Sequence, residues 1–130
     1  MYSQEHVKFE GRVERGEGMA ARLGCPTANV MVEHGGTIPA LGVYVGEAEY
    51  DGVVHPALVC INDGRTGYLL KMEVHMLDIE QADLLGKRMK VALHGKIRDL
   101  IPFPGEEEMA RIIEKDLVIA RQWFADRSTV

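Results

Sequence analysis

Apolar and polar residues alternate with a period of two along most of the chain, and give way to a helical period near its end. The run His6-Val7-Lys8-Phe9-Glu10-Gly11-Arg12-Val13 alternates and predicts a half-buried strand over 6–13. Short strands follow over 28–32 and 42–50. Asp51-Gly52 is a two-residue hairpin signal, and 53–61 reads as the returning strand, with Pro56 expected at an edge or bulge. Residues 69–77 and 87–97 complete a set of six strands. His34-Gly35-Gly36 reads as a turn, 62–67 as a turn-rich loop, and 80–85 as a helical turn.

Pro102-Phe103-Pro104-Gly105 stops the last strand. Beyond it Met109, Ile112, Ile113, Leu117, Ala120 and Phe124 recur at helical spacing, and Glu106, Glu107 and Glu108 occupy the first turn, where the helix dipole favours negative charge. Val118, Ile119 and Trp123 add apolar groups outside that face. Six short antiparallel strands and one long helix suggest a small closed barrel with the helix packed on it, because closure removes the sheet edges.

Composition narrows the class. With 130 residues, 46% hydrophobic and 27% charged, the chain suits one globular domain over 1–130. Its 20 acidic and 15 basic residues leave a net charge of −5, which argues against a nucleic-acid partner and leaves room for a small phosphorylated ligand held by local donors. No apolar run approaches the ~20 residues of a membrane span, and the first residues do not form a secretory signal. Cys25 and Cys60 form neither a disulfide framework nor a C-x-x-C pair and read as small buried hydrophobes; a reducing cytoplasm is the expected compartment. The expected state is a monomer.

Three segments carry candidate chemistry. Gly16, Gly18 and Gly24 fall within nine residues that also hold Arg22, a loop whose backbone can approach a ligand closely. Pro26-Thr27-Ala28-Asn29 follows. On an extended chain Thr27 and Asn29 point to one side, offering neutral oxygens suited to Mg²⁺ that carries nucleotide phosphates; alternatively they satisfy the backbone of a loop entering a strand. In Lys71-Met72-Glu73-Val74-His75-Met76, alternation places the methionines and Val74 in the core and Lys71, Glu73 and His75 opposite. Glu73 there is either a general base for phosphoryl transfer or part of a solvated face with a Lys–Glu pair. Arg98 suits phosphate or ring recognition or is a surface arginine, and Phe103 is a rigid platform or a core plug. The sequence holds no Walker loop, no dinucleotide fingerprint, no protein-kinase signature set and no cysteine–histidine zinc cluster.

Together these pieces resemble the riboflavin kinase (flavokinase) family. The likeness is carried by Gly11, Val13 and Gly16, Leu23-Gly24-Cys25-Pro26-Thr27-Ala28-Asn29-Val30, Pro39, Gly42-Val43-Tyr44, Glu73-Val74-His75-Met76-Leu77-Asp78, Asp83-Leu84-Leu85-Gly86, Ile97-Arg98, Phe103 and 113–121, in the family's order and over nearly the whole chain. It implies a mainly β fold, a six-stranded Greek-key barrel with a C-terminal helix, and transfer of the ATP γ-phosphate to riboflavin with Mg²⁺, giving FMN. By that likeness Glu73 is the base; Gly16, Gly18, Arg22, Gly24, Pro26, Thr27 and Asn29 bind the nucleotide; Thr27 and Asn29 hold the metal; and His75, Arg98 and Phe103 lie on the flavin side. A chain of this length is expected to lack the adenylyltransferase domain of many bacterial relatives.

The chain departs from the family pattern at Met19-Ala20-Ala21, where a basic element is usual. It departs again at Ile61-Asn62-Asp63-Gly64-Arg65-Thr66, which lacks the usual proline, and at Leu100-Ile101-Pro102. These changes fall in ligand loops and leave two other outcomes open: a barrel that binds a flavin or nucleotide without turnover, and a protein-interaction module.

Overall fold

The computed structural model describes residues 7–14, 25–35, 40–63, 71–79 and 84–128. Six strands, β1 (Val7–Glu14), β2 (Ala28–Gly35), β3 (Gly42–Tyr50), β4 (Val53–Asn62), β5 (Lys71–Met76) and β6 (Arg88–Arg98), precede the helix α1 (Glu106–Ser128). All pairings are antiparallel, and the sheet closes in the order β1-β2-β5-β4-β3-β6. The order is that of a Greek-key barrel: β3, β4 and β5 form a meander, and the chain crosses over to pair β2 with β5 and β3 with β6.

Alternation along each strand divides the side chains into two sets. Val30, Ala57, Val59, Met72, Val74, Met76, Met89 and Val91 fill the barrel. Val43, Val45, Leu58 and Cys25 face outward and are covered by Ile113, Leu117, Ala120, Trp123 and Phe124 of α1, which packs on β4 and β6. The helix therefore buries a second apolar face that a closed barrel would otherwise expose.

Two glycines make closure possible. A Cβ on Gly11 would lie 1.9 Å from the carbonyl oxygen of Met31, and one on Gly46 would lie 2.3 Å from that of Ala92. Each stands at a register shift, between Glu10 and Gly11 against β2 and between Val45 and Gly46 against β6. A bulge with no side chain lets the backbones close up where the sheet bends. At the β3–β4 hairpin, Asp51 and Gly52 have φ of 52° and 80°, the conformation that an Asp-Gly turn supplies.

Several local expectations need correcting. His34 and Gly35 are strand, not turn: the bulge at Gly11 lets β2 pair on, with Glu10 opposite His34 and Phe9 opposite Gly35. Pro56 lies in a central strand, where the β4–β5 ladder ends. Its carbonyl accepts from the Leu77 N–H at 2.8 Å, but proline has no N–H to return the bond. The expected helical turn over 80–85 falls mostly outside the described residues; its end is a turn at Leu85 and Gly86. Trp123 belongs to the packed face of α1, stacked on His94 with 5.4 Å between ring centroids, while Val118 and Ile119 stay exposed. The helix also buries Asp116, only 3% exposed, in the face that meets the barrel.

Candidate active site

The register assembles the site. Glu14 stands opposite Asn29, Asn29 opposite Glu73, Glu73 opposite Cys60, Cys60 opposite Val43, and Val43 opposite Arg98. This is one cross-strand row running over all six strands. Ala28, Val30, Met72 and Val74 point into the barrel, so Asn29 and Glu73 point out of it. Directly opposed Cβ atoms lie roughly 5 Å apart, and Glu73 and Arg98 stand three strands apart around the closed barrel.

Along this row the side chains are held individually. Asn62 Nδ2 donates to Glu73 Oε2 at 3.4 Å and approaches Cys60 Sγ at 3.6 Å. His75, two residues on from Glu73 and on the same face, has Nδ1 2.7 Å from the carbonyl oxygen of Pro26. Thr27 and Asn29 are half-buried, as are Pro26, Glu73 and His75. The glycine-rich stretch 15–24 is tethered between Glu14, opposite Asn29, and Cys25. Its Gly16, Gly18, Arg22 and Gly24 lie outside the described residues.

At the far end of the row Arg98 is clamped to the helix. Its Nε donates to Asp116 Oδ1 at 2.9 Å, and Nη2 donates to Oδ2 at 2.8 Å, a bidentate pair whose carboxylate is buried. Nη1 donates to the Asp99 carbonyl at 3.1 Å. Three of its five N–H donors are thus engaged among the described residues. Phe103 is 47% exposed in the segment between β6 and α1, so it does not plug the core.

The thiols are not nucleophiles. Burial, the largest cause, pushes Cys60 from 9.0 to about 11, against the hydrogen bond from Asn62 that pulls it down. Burial pushes Cys25 to about 12, with the charge of Asp116 adding to it. A neutral thiol in an apolar wall is inert.

The oxygen donors fit a hard cation. Among the described residues no three His, Cys, Asp or Glu side chains converge on a metal position. Asn29, paired opposite Glu73, and Thr27, two residues before it in the chain, carry an amide and a hydroxyl oxygen, a sparse set suited to Mg²⁺, which keeps waters and binds substrate phosphates. Asn62 and Asp116 were not singled out from the sequence. Asp116 was legible as a lone carboxylate at helical spacing among Ile113, Leu117 and Ala120; Asn62 left no such signal.

Comparisons with known proteins bear on the family of the chain. The riboflavin kinase (Flavokinase) family model matches residues 3–124, and the chain belongs to that family. Bifunctional riboflavin kinase/FMN adenylyltransferases are similar to it: that of Pseudomonas fluorescens is 33% identical over 121 residues, and that of Bacillus subtilis 30% identical over 123. These matches cover 88% and 91% of this chain but 37% and 39% of the relatives, so the chain spans less than half their length. Among solved structures, the macrolide-efflux protein from Streptococcus pneumoniae superposes with a TM-score of 0.81 at 26% identity, over 91% of this chain and 39% of that one. The riboflavin kinase from Trypanosoma brucei gives 0.60 at 20% identity, over 95% and 83%, and shares the fold. No helix is long and apolar enough to cross a membrane among the described residues.

Proposed function

We propose that the chain transfers the γ-phosphate of ATP to the 5′-hydroxyl of riboflavin, giving FMN and ADP. The observation that carries this reading is the row that sets Asn29 directly opposite Glu73, with Arg98 further along it. Membership of the riboflavin kinase family supports it.

In the reaction the hydroxyl oxygen attacks the γ-phosphorus and the bond to the β-phosphate oxygen breaks. Glu73 takes the hydroxyl proton, and its orientation is fixed by the donor Asn62 Nδ2. Thr27 and Asn29 hold the Mg²⁺ that, when bound, neutralises charge on the transferring phosphate. Gly16, Gly18, Arg22, Gly24 and Pro26 line the nucleotide. The flavin side comprises Arg98, Phe103 and the Nε2 of His75. Free thiols at Cys25 and Cys60 suit a reducing cytoplasm, and the barrel acts as a monomer.

Incubation with riboflavin, Mg²⁺ and either ATP or CTP, followed by chromatography of the flavins, tests the reading. FMN formed with ATP supports it. A folded protein that binds riboflavin and yields no FMN with either donor is a binding module and not a kinase.

A further inference from the structure

Among the described residues the β2–β5 ladder holds three pairs, Ala28 with Val74, Asn29 with Glu73 and Val30 with Met72, and it stops short of Thr27. Thr27 lies one residue outside this backbone pairing, and Pro26 one further. The chain is nevertheless tied at that point, because the Pro26 carbonyl oxygen lies 2.7 Å from His75 Nδ1. A carbonyl oxygen only accepts, so Nδ1 carries a proton and donates.

We propose that His75 is a positioning residue, which holds Thr27 in register with Glu73 by donating from Nδ1 to the carbonyl of Pro26. The inference rests on the reading of Thr27 as a ligand on the phosphate side. Three observations lead to it. Thr27 has no ladder partner among the described residues, and the side-chain bond reaches past the end of the ladder to the residue beside it. His75 and Glu73 share one face of β5, a strand flanked on both sides by β2 and β4, so the base and the tie belong to one rigid frame. Finally, proline fixes its own φ, so holding the Pro26 carbonyl also fixes the direction in which the chain enters Thr27. A misplacement of the order of 1 Å in such a site costs up to ~10²-fold.

The amide nitrogen of asparagine reproduces Nδ1 of histidine, and that of glutamine reproduces Nε2. The test compares His75→Asn, His75→Gln and His75→Ala, with Thr27→Ala as control. It reads the affinity for Mg·ADP by calorimetry, for riboflavin by flavin fluorescence, and the melting temperature. His75→Asn is expected to bind Mg·ADP within about twofold of the parent, and His75→Gln and His75→Ala about tenfold more weakly. Equal Mg·ADP affinity in all three, with Thr27→Ala still weakened, overturns the positioning role and leaves the phosphate-side reading standing. A loss confined to riboflavin assigns the ring to the flavin alone and overturns the role too. Unchanged Mg·ADP affinity in Thr27→Ala removes the reading beneath the inference. Should His75→Ala fail to fold, the asparagine–glutamine pair alone decides.

Discussion

Asn29 and Glu73 face each other across the β2–β5 ladder, on the outer surface of the barrel. In the proposed reaction one offers a neutral oxygen to a cation and the other a carboxylate to a proton, and the backbone register sets them opposite each other. Replacing Glu73 with Gln keeps the shape and removes the base. Turnover should fall by about 10²–10⁴-fold, with the melting temperature and riboflavin affinity nearly unchanged. Single-turnover rates and thermal melts check both, and a near-normal rate would remove Glu73 from the role of base.

Asn29→Ala takes away the amide oxygen without touching the interior, since Asn29 points outward. The Mg²⁺ concentration for half-maximal turnover should rise about tenfold or more while the KM for riboflavin holds. Magnesium titrations at fixed ATP distinguish this from general damage, which would move both.

The Arg98–Asp116 pair straps α1 to β6. Asp116→Ala leaves a largely covered guanidinium without its counter-charge and should cost about 3 kcal/mol, lowering the melting temperature by about 10 °C. Arg98→Met combined with Asp116→Ala should recover part of that loss, because no unpaired charge then remains. A double variant no more stable than Asp116→Ala would count against this account.

Gly11→Ala and Gly46→Ala should each prevent or cripple folding, at more than about 3 kcal/mol, because the new methyl meets a backbone carbonyl that belongs to the closure of the barrel. Gly52→Ala is the contrast: nothing lies within 4 Å of its Cβ, and its φ of 80° costs about 1 kcal/mol. Denaturant midpoints should separate the two classes.

Cys25 and Cys60 have raised pKa values, so the fold favours the neutral thiols. Their stabilising contribution is complete below the ordinary value of 9.0 and is lost as the pH climbs through about 11 and 12. A Cys25→Ala/Cys60→Ala variant should therefore lose less stability than the parent between pH 9 and 11 in urea unfolding. At pH 8 the native thiolate fraction is about a hundredfold below that of a free cysteine even for Cys60, so alkylation should be slow until the protein is unfolded.

Much of the fold was legible. Alternation through Lys71-Met72-Glu73-Val74-His75-Met76 separated core from outer face correctly, Asp51-Gly52 marked the hairpin, and Pro102 to Gly105 marked the start of the helix, which runs from Glu106. Those signals are local: a strand's period, a turn's φ and a helix's first residues are set by neighbours in the chain. The turn expected at His34-Gly35 failed because a distant bulge at Gly11 kept the ladder going, and local propensity yields to such pairing.

What the sequence determined, then, is which faces are apolar, where the β3–β4 hairpin turns, and which residue types carry chemistry, together with the likeness that joins them. Register lay beyond it. That Glu14, Asn29, Glu73, Cys60, Val43 and Arg98 form one row depends on the crossover that pairs β2 with β5 and β3 with β6, and on two bulges at glycine. The bond from His75 to Pro26, the donor that Asn62 turns on Glu73, and the clasp of Arg98 by Asp116 are likewise contacts between segments far apart in the chain. Closing the barrel fixes all of them together, because a one-residue slip at any seam would turn the outward side chains of that strand into the core.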